Sequence, residues 1–170
     1  MIGAGKFGSM YLSQIPTTPG IHLLGIADLS PARARENLAR LGWKPEVTAA
    51  GSFAEARKHG STHLTDDWRA LVSHPDIDII VESTGDPIAA VEHALEAFRN
   101  GKSVVMVTVE ADAFCGPLLA QRAAAAGVIY SLAYGDQPAL ICELVDWART
   151  SGFEVRAQST SSQISAGWSP

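Results

Sequence analysis

The stretch Ile2-Gly3-Ala4-Gly5-Lys6-Phe7-Gly8 constrains this chain more than any other. Gly3, Gly5 and Gly8 have the G-x-G-x-x-G spacing of a strand-to-helix turn that faces a pyrophosphate. The first glycine permits the tight turn. The second lets the backbone approach the phosphates, and the third lets helix and strand pack closely. The helix that follows offers free N–H groups and a positive dipole end, with Lys6 and Phe7 in its first turn. A strand ending in Asp28 follows 20 residues after Gly8, where an acid that hydrogen-bonds a ribose is expected.

Only Met1 and Ile2 precede Gly3. A strand of this kind needs roughly five residues, and the first strand of such a fold lies in the middle of its sheet. The chain therefore reads as starting inside its own central strand, either as a truncated sequence or from an internal start. The neighbouring strands, Ile21–Asp28 and Asp78–Glu82, are then expected to lose a partner and to expose unpaired backbone groups. That predicts a marginal, aggregation-prone domain.

The rest of the sequence alternates strands with helices. Ser30-Pro31 starts a helix whose inner face is Ala34, Leu38 and Leu41, with Gly42 as its stop. A short helix is expected over 52–59 and a short strand over 63–65. Asp66 or Asp67 caps a helix carrying Trp68, Leu71 and Val72. Asp78–Glu82 is a strand, and Pro87 opens a helix with Ile88, Val91, Leu95 and Phe98 inward. Ser103–Val109 is a strand, 117–126 a helix and 128–131 a strand. Asp136 caps a helix lined by Leu140, Ile141, Leu144, Val145 and Ala148, and a further strand begins at Phe153-Glu154-Val155. Alternation of this kind means βαβ units and a parallel sheet, an α/β fold of the Rossmann, doubly wound type with its first strand largely missing. We expect the dinucleotide domain to span 1–155. Residues 156–170, polar and aperiodic, are expected to form a disordered tail.

Composition excludes several alternatives. Hydrophobic residues make up 46% of the chain, enough for a packed core. The net charge of −5 comes from intermixed acids and bases, without the basic stripe that nucleic acid requires. No apolar run approaches the roughly 18 residues of a membrane span, and no signal peptide is visible. Cys115 and Cys142 are far apart and read as buried thiols of a reducing compartment, so a cytoplasmic location is expected. The five histidines have no metal-ligand spacing, and no metal is expected.

In an open α/β sheet, ligands bind beyond the carboxyl ends of the strands. Four stretches fall there: the glycine turn, Asp28-Leu29-Ser30, Ser83-Thr84-Gly85-Asp86 and Val109-Glu110-Ala111-Asp112. Asp28 suits both ribose hydroxyls of NAD. Arg33 and Arg35 close behind it suit the 2′-phosphate of NADP, or simply form a solvated helix face, so the cofactor is NADP or NAD. Ser83, Thr84 and Gly85 can approach the nicotinamide ribose, while Asp86 caps the next helix. Glu110 is placed near the nicotinamide or on an exposed loop, and Asp112 is expected as an N-cap. No proton donor with an orienting partner is visible, so catalytic residues cannot be assigned.

Several of these segments carry a resemblance. Gly-Ala-Gly-Lys-Phe-Gly-Ser-Met at 3–10, Ala-Asp-Leu-Ser-Pro-Ala-Arg-Ala at 27–34 and Glu-Ser-Thr-Gly-Asp-Pro at 82–87 occur in order. Val-Met-Val-Thr-Val-Glu-Ala-Asp at 105–112, Tyr-Gly-Asp-Gln-Pro-Ala-Leu at 134–140 and Glu-Leu-Val-Asp-Trp-Ala-Arg at 143–149 follow. Over residues 2–155 the chain resembles homoserine dehydrogenase-like oxidoreductases that carry a C-terminal SAF domain. That family is in turn similar to reductoisomerases acting on deoxyxylulose phosphate. The resemblance implies an NAD(P)-binding domain followed by a catalytic and dimerisation domain, hence a small-molecule substrate and room for a homo-oligomer. After Phe153-Glu154-Val155 the family continues into the catalytic domain, whereas this chain runs Gln158-Ser159-Thr160-Ser161-Ser162-Gln163 to Pro170 and reads as an ended or frameshifted frame. The expected function is the cofactor domain of a hydride-transferring oxidoreductase, inactive alone. The alternatives are a non-enzymatic dinucleotide-binding module or an inactive gene fragment. A methyltransferase lacks the Ser-Thr-Gly element.

Overall fold

The structure is a computed structural model that describes residues 1–133 and 139–155. The chain divides into two compact units, Met1–Leu132 and Ala133–Pro170.

The first unit is built on parallel strands. β1 (Gly25–Ala27) pairs with β2 (His63–Thr65), and β3 (Ile79–Glu82) pairs with β4 (Ser103–Met106), which pairs with β5 (Tyr130–Leu132). Ile2 joins the two groups, bridging Ala27 on one side and Glu82 on the other, both in parallel. The spatial order is therefore β2–β1–Ile2–β3–β4–β5. Strands sought over Ile21–Asp28 and Asp78–Glu82 are not left wholly without a partner. The Ile2 and Gly3 amides donate to Val81 and Ala27 carbonyls at 2.8 Å each. The Ala27 and Ser83 amides donate to Met1 and Ile2 carbonyls at 2.9 Å each. β1 is nonetheless shorter than the apolar run that predicts it. Ahead of Met1 a trench of about 240 Å³, lined by Ile21, Leu23, Leu24, Ile77 and Ile79 among others, separates residues 20–24 from 76–79.

Side chains leave the sheet on two faces, and each face has its own core. Met1, Ile26 and Leu64 pack with Leu12, Ala34, Leu38 and Trp43 of the helices α1 (Lys6–Leu12) and α2 (Pro31–Arg40) and the segment after α2. Ile2, Ala27, Ile80, Val104 and Met106 pack with the opposite face's helices. Those are α3 (Phe53–His59), α4 (Trp68–Ser73), α5 (Pro87–Arg99) and α6 (Val109–Ala126). Residues 1 and 2 thus serve both cores, and each is buried. At about 1.5–3 kcal/mol per buried aliphatic side chain, they supply a substantial share of a domain's net stability.

Helix starts follow the capping chemistry of the sequence. The side chains of Ser30, Ser52, Asp67 and Asp86 accept backbone N–H groups at the heads of α2, α3, α4 and α5. Three expectations change. Ile88 is 81% exposed, because α5 turns its small residues Ala90, Ala94 and Ala97, with His93 and Phe98, toward the core. Small side chains let α5 pack close to α6, and that sets the helix's rotation. Second, α6 starts at Val109 instead of 117 and breaks at Cys115, whose φ is −147°. Pro117 has no N–H to offer the preceding turn, which accounts for the break. Asp112 lies in the first turn of α6 and does not cap it; Thr108 occupies that position. Third, no strand forms at Phe153-Glu154-Val155.

In the second unit, α7 (Ala139–Thr150) ends at Gly152, whose φ of +84° lets the Phe153 amide reach back to the Ala148 carbonyl at 2.8 Å. Leu140, Ile141, Val145 and Ala148 are half-buried, while Leu144 is exposed. The expectations for Asp136 and 156–170 lie outside the described residues. Among the described helices none is long and apolar enough to cross a membrane.

Candidate functional site

The glycine turn leaves the Ile2 seam and enters α1. Gly3 has φ +86°, and a Cβ there would lie 2.8 Å from the Ser83 carbonyl oxygen and 2.9 Å from the Thr84 nitrogen. Gly8 is equally confined, since its Cβ would meet the Gly3 carbonyl oxygen at 2.8 Å. Gly5 is different. It occupies the N-cap position of α1 with ordinary backbone angles, no side chain caps the helix, and a Cβ would meet nothing within 4 Å. The middle glycine therefore serves open space, whereas the outer two serve packing. Lys6 and Phe7, in the first turn of α1, are exposed beside it.

Asp28 ends the run after β1. Its Oδ2 accepts the Ala4 N–H at 2.9 Å and its Oδ1 accepts the Ser30 N–H at 2.9 Å. The carboxylate thus ties the glycine turn to the head of α2. Asn37, which sequence reasoning passed over, supports the same turn: its Nδ2 donates to the Ala4 carbonyl at 2.9 Å and to Ser9 Oγ at 3.3 Å. Trp43 Nε1 donates to the Leu12 carbonyl at 3.0 Å and pins the far end of α1. Arg33 and Arg35 are exposed on the outer face of α2.

The turn after β3 faces the glycine turn. Ser83 is buried, and its hydroxyl lies 3.1 Å from the Ile2 carbonyl oxygen and 2.9 Å from that of Gly3, to which it donates. Its proton is engaged in holding the two turns together. Thr84 and Gly85 are exposed, and Asp86 Oδ1 accepts the Ile88 and Ala89 N–H groups at 2.9 and 3.1 Å. Glu110 is exposed in the first turn of α6, where a carboxylate faces the positive end of the helix. Glycine turn, Asp28, Thr84-Gly85 and Glu110 all follow the carboxyl ends of parallel strands; Arg33 and Arg35 stand further out on α2.

The thiols do not join this edge. Cys115 is half-buried, and burial followed by the nearby Asp112 carboxylate raises its thiol above the ordinary range. Cys142 is exposed and not buried as expected, since it falls on the outward side of α7. Tyr130 donates to Asp112 Oδ1 at 2.8 Å, and burial together with that bond pushes its hydroxyl well up. Among the described residues no cluster of histidine, cysteine or acidic side chains could hold a metal ion.

Comparisons with known proteins agree with this fold. Solved structures of the same fold include biliverdin reductase from Synechocystis sp. PCC 6803, in complex with biliverdin and NADP+. It has a TM-score of 0.53 and 17% identity over 88% of this chain and 40% of that one. Apo scyllo-inositol dehydrogenase from Lactobacillus casei gives 0.50 and 20% identity over 87% of this chain and 40% of that one. A homoserine dehydrogenase from Methylobacillus glycogenes is 38% identical over 78 residues, 43% of this chain and 19% of the relative. The chain thus spans about a fifth of that curated relative. Residues 3–133, from the first glycine of the turn to just past β5, match the family described as homoserine dehydrogenase, NAD binding domain. With the glycine turn, the Asp28 tether and the parallel sheet in place, the chain belongs to the family of homoserine dehydrogenase NAD-binding domains.

Proposed function

We propose that the carboxyl edge of the sheet holds an extended NAD(P) molecule. The pyrophosphate lies against the Gly3–Gly8 turn with Lys6 and Phe7 beside it, and the adenosine ribose lies at Asp28. The nicotinamide end reaches Ser83-Thr84-Gly85 and Glu110. The observation that carries this reading is Gly5, which heads an uncapped helix and has open space where a side chain would point. Asp28 favours the two free hydroxyls of NAD, and Arg33 would favour the phosphate of NADP if it swings toward the same edge.

The domain serves as the cofactor half of an oxidoreductase that moves hydride between nicotinamide and a small hydroxy or keto substrate, homoserine or a sugar-phosphate ketone being the first to test. Substrate binding and proton transfer are assigned to sequence outside these 170 residues. The test is direct titration of the chain with NADH and NADPH by fluorescence, then assay with both substrates. Saturable binding without turnover is expected. Turnover at an ordinary rate of about 1 s⁻¹ or more would place the catalytic groups inside this chain and overturn the division of labour.

A further inference from the structure

Beneath Thr84 and Gly85 lies a polar cluster that cofactor contact does not by itself require. Glu82 ends β3 and is fully buried. Its Oε1 accepts the Thr84 hydroxyl at 2.6 Å and the Thr84 amide at 3.3 Å, and lies 3.3 Å from His93 Nδ1. Its Oε2 accepts the Thr108 hydroxyl. Thr108 Oγ1 in turn accepts the Gly85 N–H at 3.0 Å. Trp68 closes the far side, edge-on to the His93 ring with centroids 4.5 Å apart.

A buried carboxylate is expensive unless fully hydrogen-bonded, and an apolar side chain in a strand would be cheaper. Here several donors converge on a group that only accepts. That fixes the direction of the chain of bonds: Gly85 donates to Thr108, and Thr108 donates to Glu82. Thr108 is also the residue from which α6, and with it Glu110, departs. The cluster therefore connects the turn after β3 to the turn after β4.

We propose that Glu82, acting through Thr84 and Thr108, is a positioning residue that holds Thr84-Gly85 and the head of α6 at the spacing required by the nicotinamide half of a bound dinucleotide. The inference rests on the cofactor placement above. Glutamine has nearly the same shape, but its amide nitrogen donates. In one orientation it opposes the Thr84 N–H; in the other it places a second donor on Thr108 and displaces the Thr108 proton.

The experiment titrates NADH, NADPH and ADP into the wild-type chain and the variants Glu82→Gln, Thr108→Val and Thr108→Ser, with a thermal melt of each. ADP reaches the glycine turn and Asp28 but has no nicotinamide ribose. Glu82→Gln and Thr108→Val should weaken the preferred dinucleotide about tenfold and leave ADP within about twofold. Thr108→Ser, which keeps the hydroxyl, should bind as wild type does. If Glu82→Gln does not fold, the shape-matched Thr108→Val decides. Equal loss of ADP and dinucleotide would show support of the fold alone and overturn the proposal, as would a folded Thr108→Val with undiminished dinucleotide affinity. A wild-type chain that binds none of the three nucleotides overturns the cofactor placement, and this inference with it.

Discussion

Asp28 holds the amide of Ala4 at 2.9 Å, across 24 residues of sequence, with the same carboxylate that stands nearest the expected ribose. A side chain in this position has two consequences when removed. Asp28→Ala leaves the Ala4 and Ser30 N–H groups without their acceptor, and should cost about 1–3 kcal/mol with a matching fall in melting temperature. Measured at a temperature where both proteins are folded, NADH affinity should fall while NADPH is less affected or improved, because the charge opposing a 2′-phosphate is gone. Equal loss of the two nucleotides would assign Asp28 to the fold only.

The three glycines should separate in the same pair of measurements. Gly3→Ala places a methyl 2.8 Å from a backbone oxygen at φ +86°, so melting should drop by the equivalent of about 1–3 kcal/mol or more. Gly8→Ala meets backbone at 2.8 Å and should also destabilise. Gly5→Ala has free space and ordinary angles, so its melting temperature should hold while dinucleotide affinity collapses. A Gly5→Ala variant that binds normally would mean that the pyrophosphate does not pass there.

The sequence announces some of this and conceals the rest, for a physical reason. Caps at Ser30 and Asp86, Asp67 as one of two neighbouring candidates, and the glycine turn are legible because their partners lie within a few residues; Ser52 reads as part of its helix, and the structure makes it the cap. Asn37 and Trp43 act on backbone far away in sequence, and Glu82 joins its neighbour Thr84 to the distant His93 and Thr108, so no local pattern marks them. Of the α5 positions expected inward, Phe98 is buried and Val91 and Leu95 pack against the core, while Ile88 is exposed: a hydrophobic count ranks Ile88 above Ala90, Ala94 and Ala97, whereas close packing on α6 selects the alanines. Glu82 was visible only as the polar end of an apolar strand, a position that equally suits a solvent-facing acid.

A pH dependence follows from the first residue. The Met1 amine is buried, donates to the Gly25 carbonyl at 2.9 Å, and burial lowers its pKa from 8.0 to about 5. Between those values the unfolded chain carries the extra proton, so stability rises with pH from about 5 to about 8 and is flat above. The full difference is of the order of 4 kcal/mol at 1.36 kcal/mol per unit. Urea titrations across that range on the chain starting at Met1 should show the climb; a level profile would mean that the amine is hydrated in solution.

An apolar extension ahead of Met1 should act on the same spot. About five residues of Val-Ile-Leu type fit the direction of the trench between residues 20–24 and 76–79 and can pair with both sides. Melting temperature and soluble yield should rise, and the pH climb should disappear because the amine becomes a peptide N–H. If the extended and unextended chains melt together, the two residues before Gly3 already suffice.

Ile2 links β1 to β3, and this gives residues 1–3 a weight beyond their number. Here, peeling residues 1–3 away releases Ala27 on one side and Ser83 on the other, and carries off the glycine at the head of the turn. Amide exchange at Ala27 and Ser83 should therefore report one opening event at one rate, although the two residues sit on different strands. Cofactor affinity would then be limited by how long the first three residues stay zipped, and a ligand bound across the turn would act as a clasp on the whole sheet.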